Sequence, residues 1–553
     1  MEAQAADPSQ VAEFRQILLW PLQLNPNQNG AGLGAHWSLL DSAAGQPWQE
    51  LADEFTEDPA QFQERHYREF TAFLPYVQRL LYGEGKARDA RQGAHAAGES
   101  PIHVYRRRDI AQARVRYPDG VSVVFQVVHV DLYFFHGMDV AILVLELRGE
   151  QLSLSRVQET LYRFGRVYPT HWQADGRAAH CLDRVEWLSA SGDVLAESDY
   201  QARQRYLEQV CQQRAPRIAA HWEYLLRPLV PHYSNASGSV RYRLVDHHRM
   251  PVMAFLAVNE PQQLSRADFV RLALLSAPGP SDVLPLPAAE LADFEQRCCS
   301  DRYWLAPDSD ASNARYLCSG SAFVLVGRAD DARFTSVEHG LLAQFRHQDF
   351  WLFFLPHLQK SALFMISDRL VDALNHLSIR DAASVRSFKR KIRELKRVLL
   401  AFTHGYWFQQ VAAQPHAKQL YRMCQRWLDT ERIHSEVRDE VEDMNQYLDS
   451  DALRRQASTV VRLTVVTLFG LIGTLTTGFL GMNLLAEADS PLWQRLGWFI
   501  AVLVPTIWLT LYTIMKSQRL SDFLDALSDE RLPARAKLAA LAGVWRRREK
   551  GSE

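Results

Sequence analysis

Two uncharged apolar stretches near the end of this 553-residue chain constrain its fold more than any other feature. Leu463 to Leu480 reads LTVVTLFGLIGTLTTGFL, and Leu496 to Met515 reads LGWFIAVLVPTIWLTLYTIM. Each comes close to the ~20 residues needed to cross a ~30 Å hydrocarbon layer, and buried core helices rarely stay free of charge all round for so long. The pair is therefore expected to form a two-helix transmembrane hairpin. Arg454, Arg455 and Arg462 precede the first stretch, Lys516 and Arg519 follow the second, and the loop between them holds Arg495 as its one cation. The positive-inside rule then places both termini in the cytoplasm and the loop outside, as in a multi-pass protein of the cell inner (plasma) membrane. Membrane lipid becomes an expected partner.

Upstream of residue 463 the sequence reads as an aqueous body. Net charge is -2, far from the basic footprint of a nucleic-acid-binding protein, so no nucleic-acid partner is expected. The first residues lack the basic and apolar regions of a signal peptide, which keeps the body in the cytosol. Six cysteines show no CxxC spacing and are expected to be reduced thiols.

The chain divides on this reading into 1–100, a mixed region with a linker, and 101–380, an α/β domain that can consist of two halves. Long charged stalk helices follow over 381–462, then the hairpin with its loop over 463–515, then a cytosolic tail over 516–553. The fold class expected is an α+β cytosolic domain, with a mixed sheet and helices, followed by stalk helices and the hairpin. A strand running into a turn is predicted over Ala113–Gly120, with further strands across Val121–Phe135 and at Val140–Leu145, Val240–Leu244, Val252–Val258 and Ala322–Val326. Helices are predicted at Leu154–Phe164, Ser336–Asn375 and Ala382–Gln410. Met423, Trp427, Ile433, Val437, Val441, Met444 and Leu448 approximate one apolar helical face of the stalk, with acids including Asp443 and Asp449 around it.

No P-loop, G-x-S-x-G elbow or HExxH is present, and no enzymatic activity or cofactor is expected. His129 and Asp131 would share a strand face, and His136 and Asp139 occupy a turn, yet no third metal ligand is evident. Asp246-His247-His248 is a weaker pattern of the same kind.

The first apolar stretch carries a second pattern. Thr467, Leu471, Thr474, Gly478 and Gly481 recur at steps of four and three, on one helical face. Small and hydroxylated residues there suit close helix packing. They equally suit a pore wall, whose hydroxyls and carbonyls meet a partly hydrated cation. Two helices cannot enclose a pore, so conduction needs several copies around an axis. Asn483 of each copy would then add an amide carbonyl at the mouth, and neutral oxygens suit Mg2+, which keeps its waters. Glu487 and Asp489 in the loop would concentrate cations.

A cytosolic domain, a long charged helix, a first span ending in Gly481-Met482-Asn483, a short loop and a second span together resemble the CorA family of divalent-cation transporters, the two-span GxN class. The specific likeness covers about Gln414 to Arg519. It implies a funnel-shaped homopentamer whose first span lines the pore, with Asn483 at the entry selectivity site beside Gly481 and Met482. It further implies pore-facing positions at Thr474 and Gly478, apolar gates at Leu463 and Leu471, and regulatory metal binding by cytosolic acids, for which Asp443 and Asp449 are singled out. The function implied is Mg2+ influx, with the divalent cation as substrate and as possible regulator. Alternatives are transport of zinc, Co2+ or Ni2+, and a membrane-anchored sensor or scaffold that does not conduct. The chain departs from the family pattern in its loop, where Ala486-Glu487-Ala488-Asp489 replaces the usual MPEL run. It also lacks the proline common in the middle of the first span and has a longer tail.

Overall fold

The computed structural model describes residues 8–25, 36–41, 47–51, 64–83, 100–235, 238, 240–246, 248–302, 314–377 and 382–481, together with scattered positions of 491–512. The chain separates into two compact units, Met1–Val441 and Glu442–Glu553.

The first unit is a mixed α/β structure built on one large sheet. In chain order its described strands are β1 (Gln10–Leu24), β2 (Trp48–Glu50), β3 (Ile102–Arg107), β4 (Gln112–Arg116), β5 (Ser122–Phe135), β6 (Val140–Ser153) and β7 (Arg184–Leu188). Then come β8 (Val194–Glu197), β9 (Val230–Pro231), β10 (Arg241–Leu244), β11 (Val252–Val258), β12 (Cys299–Arg302), β13 (Ala314–Cys318) and β14 (Ala322–Arg328). The main path runs β12-β13-β14-β11-β1-β6-β5-β4-β7-β8, with β3 also on β5 and β10 also on β1. Pairing is antiparallel along most of this path, and the β11–β14 pair is parallel.

Strand β1 is the hinge of this topology. It pairs along its length with β6 on one side, and on the other with β11 as far as Leu18 and with β10 from Leu22. Pro21 falls between those two partners. A proline has no N–H to give to a ladder, so the gap is where the sheet tolerates it.

Both faces of the sheet are covered along its central strands β6, β11 and β14. Helices α1 (Leu154–Arg163) and α2 (Arg266–Leu274) supply Val157, Leu161, Phe269 and Val270 to a core shared with Leu143, Leu145, Leu147, Val324 and Val326. The opposite face lies under α3 (Phe350–Asn375), where Phe354 meets Tyr133 and Phe135, and Phe353 meets Phe323. Strands buried on both faces need apolar residues throughout, which β11 and most of β6 provide.

Three further helices follow: α4 (Ala382–Gly405), α5 (Pro415–Leu428) and α6 (Thr430–Gly481). The apolar stalk face expected over Met423 to Leu448 is split between α5 and α6, because Asp429 takes a left-handed conformation (φ 55°) that ends α5.

The membrane expectation requires correction. Among the described residues, no helix is long and apolar enough to cross a membrane. The stretch Leu463 to Leu480 is the last part of the 52-residue α6, whose earlier turns are charged, rather than an apolar helix of its own. Thr464, Thr467, Gly470, Gly473, Thr474, Thr476, Thr477 and Gly478 also dilute its apolar character. Of Leu496 to Met515, only scattered positions are described. The transmembrane hairpin, the funnel built on it, the membrane description, and the multi-pass inner-membrane location with cytoplasmic termini are therefore not features of this structure.

Candidate functional site

Within the second unit, α6 is described as far as Gly481, the first residue of the Gly-Met-Asn signature. Leu463, Thr467, Leu471, Thr474 and Gly478 are all exposed on it. The two leucines are 66% and 61% exposed, so none of the described residues covers them. A Cβ added at Gly478 would meet nothing within 4 Å, so no contact among the described residues requires its smallness.

The threonine hydroxyls on and near this face are turned back onto the helix. Thr467 donates to the Leu463 carbonyl at 2.8 Å, Thr474 to Gly470 at 2.8 Å and Thr477 to Gly473 at 2.9 Å. A hydroxyl has one proton and two lone pairs. With the proton committed to the backbone, each Oγ1 is left as an acceptor, the polarity that suits the water shell of a cation.

Met482, Asn483, Glu487 and Asp489 lie outside the described residues. Asp443 is exposed on α6, and the Asp449 side chain lies outside the described set. Earlier acids are partly neutralised: Arg432 of α6 pairs with Asp429, just before the helix, at 2.7 Å, and Arg438 pairs with Asp439 at 3.0 Å. Among the described residues, no group of three or more His, Cys, Asp or Glu is placed to hold a metal ion.

The His/Asp patterns of the first unit are drawn into ion pairs. A register shift between Val127 and His129 sets His129 opposite Glu146 of β6. Its Nε2 lies 2.9 Å from Glu146 Oε2, and its Nδ1 lies 3.1 Å from Asp131 Oδ2. Arg15 and Arg346 each reach Glu146 at 2.9 Å, and Arg106 forks onto Asp131 at 2.7 Å through two nitrogens. Burial opposes the charge on His129, but Asp131 and Glu146 outweigh it and raise its pKa to about 9. Burial also works against ionisation of Glu146, yet His129 and Arg346 hold its carboxyl well below the usual range. A cation entering here would compete with three guanidiniums and an imidazolium, so the cluster is a structural charge network.

Glu146, Arg15 and Arg346 were not singled out by sequence. The available signal was a glutamate inside the apolar run Val140–Leu147, which has to find a cation when buried.

The turn residue Asp139 is used differently. Its Oδ1 lies 2.6 Å from His36 Nε2, and Arg369 pairs with its other oxygen. Asp246 pairs with Lys360 at 2.7 Å, while His248 accompanies Arg166 and His247 lies outside the described residues. These pairs sit in separate environments and do not converge. No protein-family model matches the chain, and no curated protein matches it either.

Proposed function

We propose that this chain handles divalent cations in transport, with Mg2+ as the leading ion and the segment around Gly481-Met482-Asn483 as the part that meets it. One observation carries the reading: the described part of α6 reaches Gly481 and presents an exposed face whose threonine oxygens are left as acceptors. A hydrated cation points its water hydrogens outward. Thr467 and Thr474 Oγ1, together with the Asn483 amide carbonyl, are the groups to receive them, and neutral acceptors hold such an ion weakly enough to release it. Leu463 and Leu471, exposed on the same helix, supply apolar steps between the polar ones. One helix cannot surround an ion, so the reading needs several copies, and the pentamer implied by the CorA resemblance is the assembly proposed. Regulation by a metal ion at Asp443 and Asp449 belongs to the same proposal.

A flux measurement tests it. Purified chain is mixed with lipid vesicles, incorporation is assayed, and entry of Mg2+, Zn2+, Co2+ and Ni2+ is followed with Asn483→Ala in parallel. Mg2+ entry is expected, reduced roughly tenfold or more by the substitution, the cost of one hydrogen bond to a charged ligand's shell. Zn2+ entry without Mg2+ entry would select a transition-metal carrier, which the Ala486-Glu487-Ala488-Asp489 loop favours as the second reading. A chain that does not incorporate, or an assembled oligomer that passes no ion, overturns transport and leaves a non-conducting sensor.

A further inference from the structure

At the end of α1, on the first unit, three arginines surround one tyrosine. The guanidinium carbons of Arg163, Arg166 and Arg249 lie 5.5, 5.1 and 5.9 Å from the centre of the Tyr162 ring. His180 bonds the Tyr162 hydroxyl, His248 Nε2 lies 2.7 Å from Arg166 Nη1, and His171 packs against His180 at 5.5 Å between ring centres.

The backbone holds the two inner arginines side by side. Arg166 and Arg249 face each other across an isolated antiparallel bridge. On either side, Met250 N donates to Gly165 O at 3.0 Å and Val167 N donates to His248 O at 2.8 Å. The Arg166 carbonyl accepts from Tyr200 Oη at 2.5 Å and from Trp222 Nε1 at 2.8 Å. Gly165 sits at φ 86° with Leu18 2.8 Å from where a Cβ would be, so the sharp turn delivering Arg166 requires glycine.

The charge is not balanced. Arg163 has Glu159 at 3.1 Å. Arg166 and Arg249 have no carboxylate within ion-pairing distance among the described residues, and together they carry two positive charges. Besides the Arg166–His248 contact, their bonds go to carbonyls: Arg166 Nε to Tyr162 O at 3.3 Å, and Arg249 Nη2 to Leu161 O at 3.2 Å and Leu275 O at 2.5 Å. A bland role exists, since cations favour helix C-termini such as that of α1. Carbonyl capping engages part of each guanidinium, however, and leaves the buried Arg249 Nε with no hydrogen-bond partner. Burial and the neighbouring Arg166 push the pKa of Arg249 down to about 9. Burial, Arg166, His171, Arg163 and Arg249 all disfavour a charge on His180. Other ion pairs of this unit show how readily the fold supplies a carboxylate when it needs one. Among the described residues, none supplies that counter-charge here.

We propose that Arg166, Arg249, His180 and His248 form a binding site for a phosphate-class dianion, free or carried on a larger molecule. Two guanidiniums match two negative charges, and their planar forks suit the oxygens of a tetrahedral phosphoryl group better than a lone carboxylate would. Tyr162 forms the floor of the site, and the exposed His171 stands beside His180. The site goes beyond the transport reading and does not rest on it.

Calorimetric titration of the full chain at constant ionic strength, with inorganic phosphate and with a nucleoside triphosphate as probes, decides the matter. Saturable binding of either probe is expected, and tighter binding of one identifies whether the natural source is free phosphate or a phosphorylated metabolite. Arg166→Lys, which keeps the charge and removes the fork, is expected to weaken binding roughly tenfold. Arg249→Gln loses two carbonyl contacts as well as charge, so His180→Gln serves as the second variant if it fails to fold. Asn483→Ala is expected to bind both probes as the unmodified chain does, which separates this site from the transport segment. Absence of saturable binding by either probe at millimolar concentration overturns the proposal, as does binding that Arg166→Lys and His180→Gln both leave unchanged.

Discussion

His129 keeps its proton at neutral pH because two carboxylates within 3.1 Å outweigh the cost of burying it. Its folded pKa, about 9, lies above the ordinary 6.5, so the protonated form is the one folding favours. The stability it contributes is complete below pH 6.5 and disappears as the pH rises through 9. A displacement of that size corresponds to about 3 kcal/mol, as an order of magnitude. Three other histidines act with the opposite sign. Burial, helped by Arg369, lowers His36 to about 4, and burial lowers His221 to about 3 and His357 to about 4. Each is folded as the neutral ring, so their contribution is complete above pH 6.5 and is lost on acidification. Stability should therefore peak near pH 6.5 and fall on both sides. Urea midpoints taken across pH 5 to 8.5, below the ordinary 9.0 of the buried thiols, check this. His129→Gln is expected to flatten the alkaline limb and spare the acid one; an unaltered alkaline limb would refute the assignment.

Among the elements, β14 shows how tightly the sheet is packed under its helices. A Cβ at Gly327 would stand 2.3 Å from the Phe334 ring, which is stacked on Phe255 with ring centres 4.4 Å apart. Gly327→Ala must push that ring off its partner and is expected to destabilise by about 1–3 kcal/mol, the usual cost of overpacking. Gly470→Ala in α6 meets nothing within 4 Å and removes a poor helix former. It should be neutral or stabilise by up to ~1 kcal/mol. Chemical denaturation of both variants separates the two cases, and equal effects would contradict the packing described. The same tightness explains what sequence could reveal at this scale. Val252–Val258 and Ala322–Arg328 are buried on both faces and read as continuous apolar runs, so they were found with near-correct limits. The Leu154–Arg163 helix showed its period plainly. Strand Gln10–Leu24 did not, because Pro21 argues against a central strand unless one knows that two partners meet beside it. The break at Asp429 was equally hidden, since an aspartate in the left-handed region leaves no compositional mark.

For the molecule as a whole, the legible and the illegible parts of function divide along the chain. The threonine face was readable as a helical face because spacing alone puts Thr467, Leu471, Thr474 and Gly478 on one side of a helix. The Arg166–Arg249 cluster was not, because an isolated bridge joins residues far apart in sequence. Glu146 likewise acquires His129, Arg15 and Arg346 only when β1, β5 and α3's entry turn come together. All of these tertiary contacts fall within Met1–Val441, a unit that contains every described strand and both helical layers. Val437 and Val441, in the first turns of α6, are 3% and 1% exposed, so the unit's packing includes these turns. A chain ending after Val441 should consequently fold without the remainder. It is expected to unfold in one cooperative thermal transition, with slowest amide exchange in β1 and β6, strands paired on both sides. Ending the chain at Leu428 instead removes those valines and should lower the transition temperature. If the Val441 fragment shows no cooperative transition, the first unit owes its stability to residues beyond 441.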